Sequence, residues 1–291
     1  MNKPKTCIIC NHPEQFAFHK HGYNIFKCLH CGLYRTHLPG SYRQFLKHYY
    51  AKSYFTGSRT RAGYADYLDD APVIRRNAQN YLKLILKHHP SGRRLLDIGC
   101  ATGIFMQAAQ NRGFTVYGID ASAYAVAQAK KTFPHQVNLG TLTTVKFPSR
   151  SFDLITLFDV FEHLHDPEAD LSRCHKVLKS GGLLVINTGN TNSVLAKLER
   201  QNWHFFIPPQ HLYFYSDINL KQLLKLHGFK VLSIYTTGKH ISLRYLWHLM
   251  RTINHSRLAD LCYRLFHHTF MGKLSLYLNL YDNMTIIAKK I

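Results

Sequence analysis

Four cysteines near the amino terminus carry the first recognisable chemistry. Cys7-Ile-Ile-Cys10 and Cys28-Leu-His-Cys31 are two Cys-x-x-Cys turns separated by 17 residues, a spacing that lets two knuckles share one tetrahedral metal. Each turn brings two thiolates to one side, and four thiolates close the coordination sphere. A Zn2+ held by Cys7, Cys10, Cys28 and Cys31 is therefore expected to be structural. Gly32, after the second pair, lets the backbone bend back over the sulfurs. Two redox-active or unligated pairs are the alternative, and the double spacing favours zinc.

The second chemical element is Leu95-Leu-Asp-Ile-Gly-Cys-Ala-Thr-Gly103, a strand, a tight glycine turn and a helix start in succession. Gly99 and Gly103 let the backbone approach a ligand, and the amides that open the next helix favour a negatively charged group. A later strand ends in Gly118-Ile-Asp120, 23 residues after Asp97, where a carboxylate can accept hydrogen bonds from ribose hydroxyls. A dinucleotide fingerprint needs a second glycine where Ala101 stands, so a pyrophosphate is less well served. A generic doubly wound fold with a turn glycine is the plainer reading of the same residues.

Two histidines are candidates for proton transfer. His163 follows the fourth strand beside Glu162, and His211 lies in Pro208-Pro-Gln-His-Leu-Tyr-Phe-Tyr-Ser216 beyond the fifth. In an open α/β sheet such a segment can fold over the carboxyl ends of the strands, where substrate enters. Tyr213 and Tyr215 then offer hydroxyls to a sugar, and a neutral imidazole at His211 can accept a proton near pH 7. The alternatives are a His211 bonded to backbone in an ordered loop and a His163 that only orients its loop through Glu162 or His165. With 20 histidines in 291 residues, histidine content alone singles out neither.

The elements that must position these groups alternate from residue 94 onward. Short apolar strands are expected at 95–98, 115–119, 136–139, 154–158 and 183–187, with helices between them, which is the pattern of a parallel sheet covered on both faces. Apolar positions at Ile74, Ala78, Tyr81, Leu82 and Ile85 predict a helix over 73–87. Asp166-Pro167-Glu168 caps the start of another helix, and Ser180-Gly181-Gly182 supplies a left-handed stop. A helix from Ser216 to Gly228 is followed by a strand at 229–235, and the last strand, 284–289, comes after a mainly helical insert at about 240–281. Three regions result: a zinc ribbon over 1–38, a tyrosine-rich segment and helix over 39–92, and a ligand-binding domain over 93–291.

Charge is uneven along the chain. Of the net +21, residues 1–93 hold 15 Lys/Arg against 4 acids, residues 94–190 hold 9 against 8, and residues 191–291 hold 13 against 4. Basic flanks around a neutral middle suit an anionic partner, such as a nucleotide-linked sugar, a phospholipid-linked intermediate or RNA; solvated surfaces of a basic protein explain the charge equally well. The start, MNKPKT, lacks the apolar stretch of a secretory signal, and no run of about 18 apolar residues crosses a bilayer. A cytoplasmic location is expected, where seven cysteines serve as metal ligands or free thiols in preference to disulfides.

The glycine loop resembles motif I of class I S-adenosylmethionine (SAM)-dependent methyltransferases. The resemblance runs over about residues 73–290 in element order. It continues through Ser151-Phe-Asp153, Asp159-Val-Phe-Glu-His-Leu164 and Leu178-Lys-Ser-Gly-Gly-Leu-Leu-Val185. It implies an α/β fold, a doubly wound sheet of six parallel strands and one antiparallel strand, behind the small ribbon. It also implies that Asp97, Gly99 and Gly103 line the methionine end of SAM, that Asp120 binds the ribose, that Leu142 sits near the adenine, and that Phe158 and Asp159 lie at the cofactor's edge.

The ribbon, the stretch Gly63-Tyr-Ala-Asp-Tyr67 and the His211 segment together look like the zinc-bearing C-methyltransferases of deoxysugar biosynthesis, with Gln210 where an acidic residue commonly precedes the histidine. Glu162-His163 is also similar to the O-methyltransferases of ubiquinone biosynthesis. The resemblance implies C- or O-methylation of a small anionic metabolite such as a nucleotide-linked deoxysugar. A zinc-ribbon RNA base methyltransferase is the second choice, weakened because Asp159-Val-Phe-Glu stands where such enzymes place Asn/Asp-Pro-Pro-aromatic. An idle SAM-fold adaptor is the third. Residues 243–253 place Leu243, Leu246, Met250 and Ile253 on one helical face, read as a core-facing lid in preference to a peripheral membrane contact.

Overall fold

The computed structural model describes residues 6–56, 65–252 and 256–291. Gly63, Tyr64 and Ile253 lie outside the described residues. Near the amino terminus, strands β1 (Glu14–Lys20), β2 (Tyr23–Cys28) and β3 (Tyr34–Thr36) form an antiparallel ribbon. Helices α1 (Tyr42–Tyr49), α2 (Lys52–Phe55) and α3 (Ala71–Leu86) follow. The chain then alternates β4 (Arg94–Ile98), α4 (Ile104–Gln110), β5 (Thr115–Asp120), α5 (Ala123–Ala129), β6 (Val137–Leu139), β7 (Phe152–Phe158), α6 (Pro167–Val177) and β8 (Leu178–Gly189). Beyond β8 come α7 (Val194–Glu199), β9 (Tyr213–Phe214), α8 (Asp217–Leu226) and β10 (Phe229–Thr236). The insert comprises β11 (Lys239–Ser242), α9 (Leu243–Thr252), α10 (Arg257–Phe266), α11 (Phe270–Lys273) and β12 (Ser275–Leu278), and β13 (Asn283–Lys290) closes the sheet.

Seven strands lie in the order β10-β13-β8-β7-β4-β5-β6, and only β13 runs against its neighbours. This is the expected sheet of six parallel strands and one antiparallel strand. Alternate residues leave each strand on opposite faces. Leu95, Val116, Leu154 and Val185 pack under α3 and α4, whereas Leu96, Ile155, Leu184 and Ile186 pack under α6 and α8. Burial on both faces is why these strands read as continuous apolar runs. At α6 the Asp166 side chain accepts the Ala169 amide, with Pro167 in the first turn, as expected. The stop comes earlier than Ser180-Gly181-Gly182: α6 ends at Val177, and residues 179–182 bulge from β8, where Phe152 pairs with Leu178 but Leu154 with Leu183.

The ribbon does not stand apart from the large sheet's surroundings. Strand β3 pairs with β9, Tyr34 opposite Phe214 and Arg35 opposite Tyr213. The insert also differs from a purely helical one, because β11 and β12 form an antiparallel hairpin from which its three helices project. Within α9 the expected polarity is reversed. Arg244 and His248 are buried, while Leu243 and Leu246 are half-buried and Met250 is exposed. The Arg244 guanidinium donates to Asp69 at 2.8 Å and Asp70 at 2.7 Å, fastening α9 to the start of α3. Burial holds Asp70 above the ordinary carboxylate range, against the pull of Arg244.

Removing the guanidinium leaves a buried carboxylate without its counter-ion. Arg244→Ala is expected to cost about 3–5 kcal/mol of unfolding free energy, the range for breaking a buried ion pair. Chemical denaturation followed by circular dichroism measures it, and a loss below about 1 kcal/mol, the value of a surface pair, refutes the anchor.

Candidate active site

A cleft of about 1730 Å³ opens at the carboxyl ends of β4, β5 and β7, larger than the roughly 300–1,000 Å³ of an ordinary small-molecule pocket. It has room for a cofactor and an acceptor together. Asp97, Gly99, Asp120, Leu142, Phe158, Asp159, His163 and His211 all line it. Gly103 does not line the cleft. It is the N-cap of α4, at φ +83, and its α-carbon faces the Phe133 ring.

Backbone geometry explains the glycine turn. Gly99 sits at φ +73, and a β-carbon there would lie 2.3 Å from Val160 Cγ2, so the loops after β4 and β7 can touch only at glycine. Asp120, at the end of β5, accepts the Ala101 and Ser122 amides, each at 2.8 Å. Burial still raises its carboxyl, against those bonds. Asp97 is buried, accepts the Thr156 hydroxyl at 2.7 Å, and is pushed up to about 7 by burial, a shift the neighbouring Asp120 charge reinforces. Leu142 is 1% exposed in the loop after β6. Phe158 stacks on Tyr81 at 4.3 Å, and Asp159 takes a left-handed φ of 55° just beyond it.

The second half of the cleft is a cluster of ionisable groups. Glu162 is buried to 1% exposure, and neither carboxylate oxygen has a hydrogen bond of normal length among the described residues. Burial, reinforced by Asp159, raises its carboxyl to about 8. His163 Nδ1 lies 2.8 Å from the Gln210 carbonyl and 3.2 Å from the Tyr50 hydroxyl. His211 Nδ1 lies 2.7 Å from the Phe205 carbonyl, an acceptor, so Nδ1 carries the hydrogen and Nε2 the lone pair. Burial, then the adjacent His163, holds the His211 imidazole well below its ordinary value, and burial lowers His163 too. The two ring centroids are 4.8 Å apart.

Several participants were not singled out from the sequence. Lys239, at the start of β11, donates to both Asp159 oxygens at 2.6 Å. Burial lowers its ammonium, but Asp159 outweighs this and the net shift is upward. Asn77 of α3 brackets the next residue through the amide and carbonyl of His240, which holds β11 over the cleft. Gln210 donates to the Tyr54 hydroxyl at 2.8 Å and accepts from Tyr49 at 3.3 Å, so both ends of its amide are engaged. Tyrosines lining the cleft include Tyr42, Tyr50, Tyr54, Tyr67, Tyr81 and Tyr245. Tyr213 and Tyr215, expected to face a sugar, are buried in the core instead, with Tyr215 against Phe161. The tyrosine-rich composition of the lead-in was the available signal; for Lys239 there was none.

The ribbon reaches this cluster directly. The Thr36 hydroxyl donates to the His211 carbonyl at 2.7 Å, and the Thr36 amide to Leu212 at 2.8 Å. The Leu212 amide in turn donates to Glu162 at 2.8 Å. At the far end of the ribbon, Cys7 Sγ is 3.4 Å from Cys31 Sγ and Cys10 Sγ is 3.4 Å from Cys28 Sγ, all four within 4.8 Å of one another. That is too long for a disulfide of about 2.05 Å and close to the roughly 3.8 Å edge of a tetrahedron with Zn–S bonds of about 2.3 Å. The Cys31 hydrogen bond holds the Cys7 thiol down at about 5. The donor set fits zinc.

Residues 68–234 match the family model described as a methyltransferase domain. A ubiquinone biosynthesis O-methyltransferase of Bradyrhizobium sp. (strain ORS 278) is 40% identical over 106 residues, 35% of this chain and 42% of that protein. The namesake of Hahella chejuensis is 28% identical over 188 residues, 56% of this chain and 78% of its own length. The chain thus spans about two fifths of the first relative. In fold, the crystal structure of a SAM-dependent methyltransferase from Archaeoglobus fulgidus covers 77% of this chain and 99% of its own, with a TM-score of 0.51 at 21% identity.

Burial of Glu162 has a measurable consequence. Its folded value, about 8, lies above the roughly 4.3 of an unfolded glutamate, so between these limits the folded state binds more protons and Glu162 destabilises it increasingly as pH rises. The stability of Glu162→Gln relative to the parent is expected to climb from pH 5 to 8 and level off above. Parallel denaturant titrations test this, and a difference that is flat or falls with pH contradicts it.

Proposed function

We propose that this chain, which belongs to the class I SAM-dependent methyltransferases, moves the methyl group of SAM to an oxygen or an acidic carbon of a small anionic acceptor, with His211 taking the acceptor's proton. The observation that carries this reading is the pairing, in one cleft, of buried carboxylates with a neutral imidazole whose Nε2 is free of its own hydrogen. SAM bears an ammonium and a sulfonium, and a cleft lined by Asp97, Asp120, Asp159 and Glu162 against Lys239 suits a cation. Asp97 and Gly99 would hold its methionine end, Asp120 its ribose, Leu142 its adenine, and Phe158 and Asp159 its edge. SAM supplies the activated methyl group, so the protein's task is orientation and proton removal.

His211 suits proton removal because its tautomer is fixed by the Phe205 carbonyl and its ring is kept neutral by burial. His163 stands behind it as the second candidate. A hydroxyl acceptor is supported by the names of the ubiquinone O-methyltransferase relatives. A nucleotide-linked deoxysugar is supported by the ribbon and the His211 segment. Zinc at Cys7, Cys10, Cys28 and Cys31 would brace the ribbon from which Thr36 grips the His211 carbonyl. A cytoplasmic setting suits thiolate ligands held reduced for zinc, and none of the described helices is long and apolar enough to cross a membrane.

Three outcomes are expected. SAM binding should strengthen as pH rises through about 7, because an ionised Asp97 attracts the cation and a protonated one does not; Asp97→Asn should remove that dependence in calorimetry, and its persistence in Asp97→Asn would assign it elsewhere. Asp120→Ala should weaken SAM binding by about 10- to 150-fold, the equivalent of losing charged hydrogen bonds of roughly 1.5–3 kcal/mol. His211→Ala should lower kcat by about 100-fold or more with SAM affinity intact, assayed on sugar nucleotides and on bulk RNA; a loss below threefold excludes His211, and methylation of RNA alone overturns the acceptor class.

A further inference from the structure

An exposed apolar surface lies on the insert. Leu258, Leu261 and Leu265 of α10 form one outward stripe at 72, 53 and 58% exposure, continued by Phe270 at 78% and, past β12, by Leu280 at 51% and Tyr281 at 72%. These are not loosely placed side chains. The inner face of α10 is fixed by Ala259 and Tyr263, and the Arg251 guanidinium sits 3.6 Å over the Tyr263 ring. A rigid helix presenting leucines outward needs something to cover them.

Charge and continuity identify the cover. Arg257 and Arg264 lie about one helical turn before and after Leu261 along the same side of α10, and exposed Lys273 ends α11; the only acid in residues 256–281 is Asp260, already paired with Arg264. Apolar residues flanked by exposed cations are the composition of a helix lying in the headgroup region of an anionic bilayer. A two-fold contact with a second copy would set this patch against itself, cation rim to cation rim. The patch also reaches the cleft: Leu280, in the exposed stripe, lines it together with Leu278 and with Leu246, Leu249 and the partly exposed Met250 of α9.

We propose that the outer face of α10 and α11 docks on an anionic phospholipid bilayer, and that the acceptor is a membrane-borne amphiphile whose polar head enters the cleft past Met250 and Leu280. The second clause rests on the methyltransferase reading above, whereas the docking itself does not.

The test is flotation of the full chain, without SAM, on vesicles of phosphatidylcholine alone and of equal parts phosphatidylcholine and phosphatidylglycerol. Binding is expected on the anionic vesicles, weaker on neutral ones and weakened by salt. Leu261→Asp/Leu265→Asp and Phe270→Asp should each reduce the bound fraction at least tenfold, with SAM Kd unchanged within twofold as the sign of an intact fold. Arg257→Gln/Lys273→Gln should narrow the gap between the two lipids. No binding to anionic vesicles overturns the proposal. So do aspartate variants that bind like the parent, or a dimer in sedimentation velocity that those variants dissolve. If docking holds but SAM does not bind, the methyltransferase reading fails and the surface stands.

Discussion

Four carboxylates gathered at the carboxyl edge of the sheet, with Lys239 as the one cation bonded to any of them among the described residues, are the constraint around which the cleft is arranged. A charge taken from water is costly unless it is paired or hydrogen-bonded, and each acid here meets that demand differently. Asp120 receives two backbone amides, Asp97 one hydroxyl, Asp159 the Lys239 ammonium. For Glu162 burial outweighs the pull of Thr188 and Lys239 and raises its carboxyl to about 8. Burial thus leaves Asp97 and Glu162 poised to lose a proton when a cation arrives. A cationic ligand offsets its cost, which is why the same burial that destabilises the protein alone favours SAM.

The neutral imidazole at His211 follows from a second dependence, on the ribbon. The segment that carries it is not part of the large sheet. It is fixed on one side by Thr36 of β3 and on the other by the Glu162 carbonyl, which accepts the Leu212 amide. A short strand of two residues, β9, has little stability of its own and takes its register from the ribbon. Cys7, Ile9, Cys28 and Leu33 share one apolar cluster with strand residues Leu96 and Ile155. The knuckles therefore act on the cleft through packing and backbone pairing at a distance from the chemistry.

The sheet was legible because its cause is local. Runs such as Leu95-Leu96 and Leu154-Ile155 alternate between two buried faces, and caps such as Asp166-Pro167 state where helices begin. The glycine turn and the four cysteines were legible for the same reason, since φ at Gly99 and thiol spacing are properties of a few adjacent residues. The parts that depend on tertiary contact were not. Tyr213 and Tyr215 sit beside His211 in sequence, yet strand alternation and the Phe161 contact send them into the core. Their place is taken by Tyr50 and Tyr54, more than a hundred residues upstream. Lys239 reaches Asp159 only because Asn77 holds β11 against α3, a contact across 163 residues with no local signature.

Helix α9 shows how far such contacts can invert a pattern. Its leucine stripe reads as a core-facing surface, and an amphipathic stripe usually is one. The acids at the start of α3 decide otherwise. Asp69 and Asp70 need a cation, Arg244 is the residue that reaches both, and satisfying them turns the polar side of α9 inward. Once that side is buried, Leu246, Leu249 and Met250 must face the cleft, where they form an apolar wall opposite the ionisable cluster. Helix α10 packs on α9 through Ala259 and Tyr263, so its own leucines are directed outward in turn. One buried ion pair thus fixes both the apolar wall of the cleft and the leucines exposed outside it.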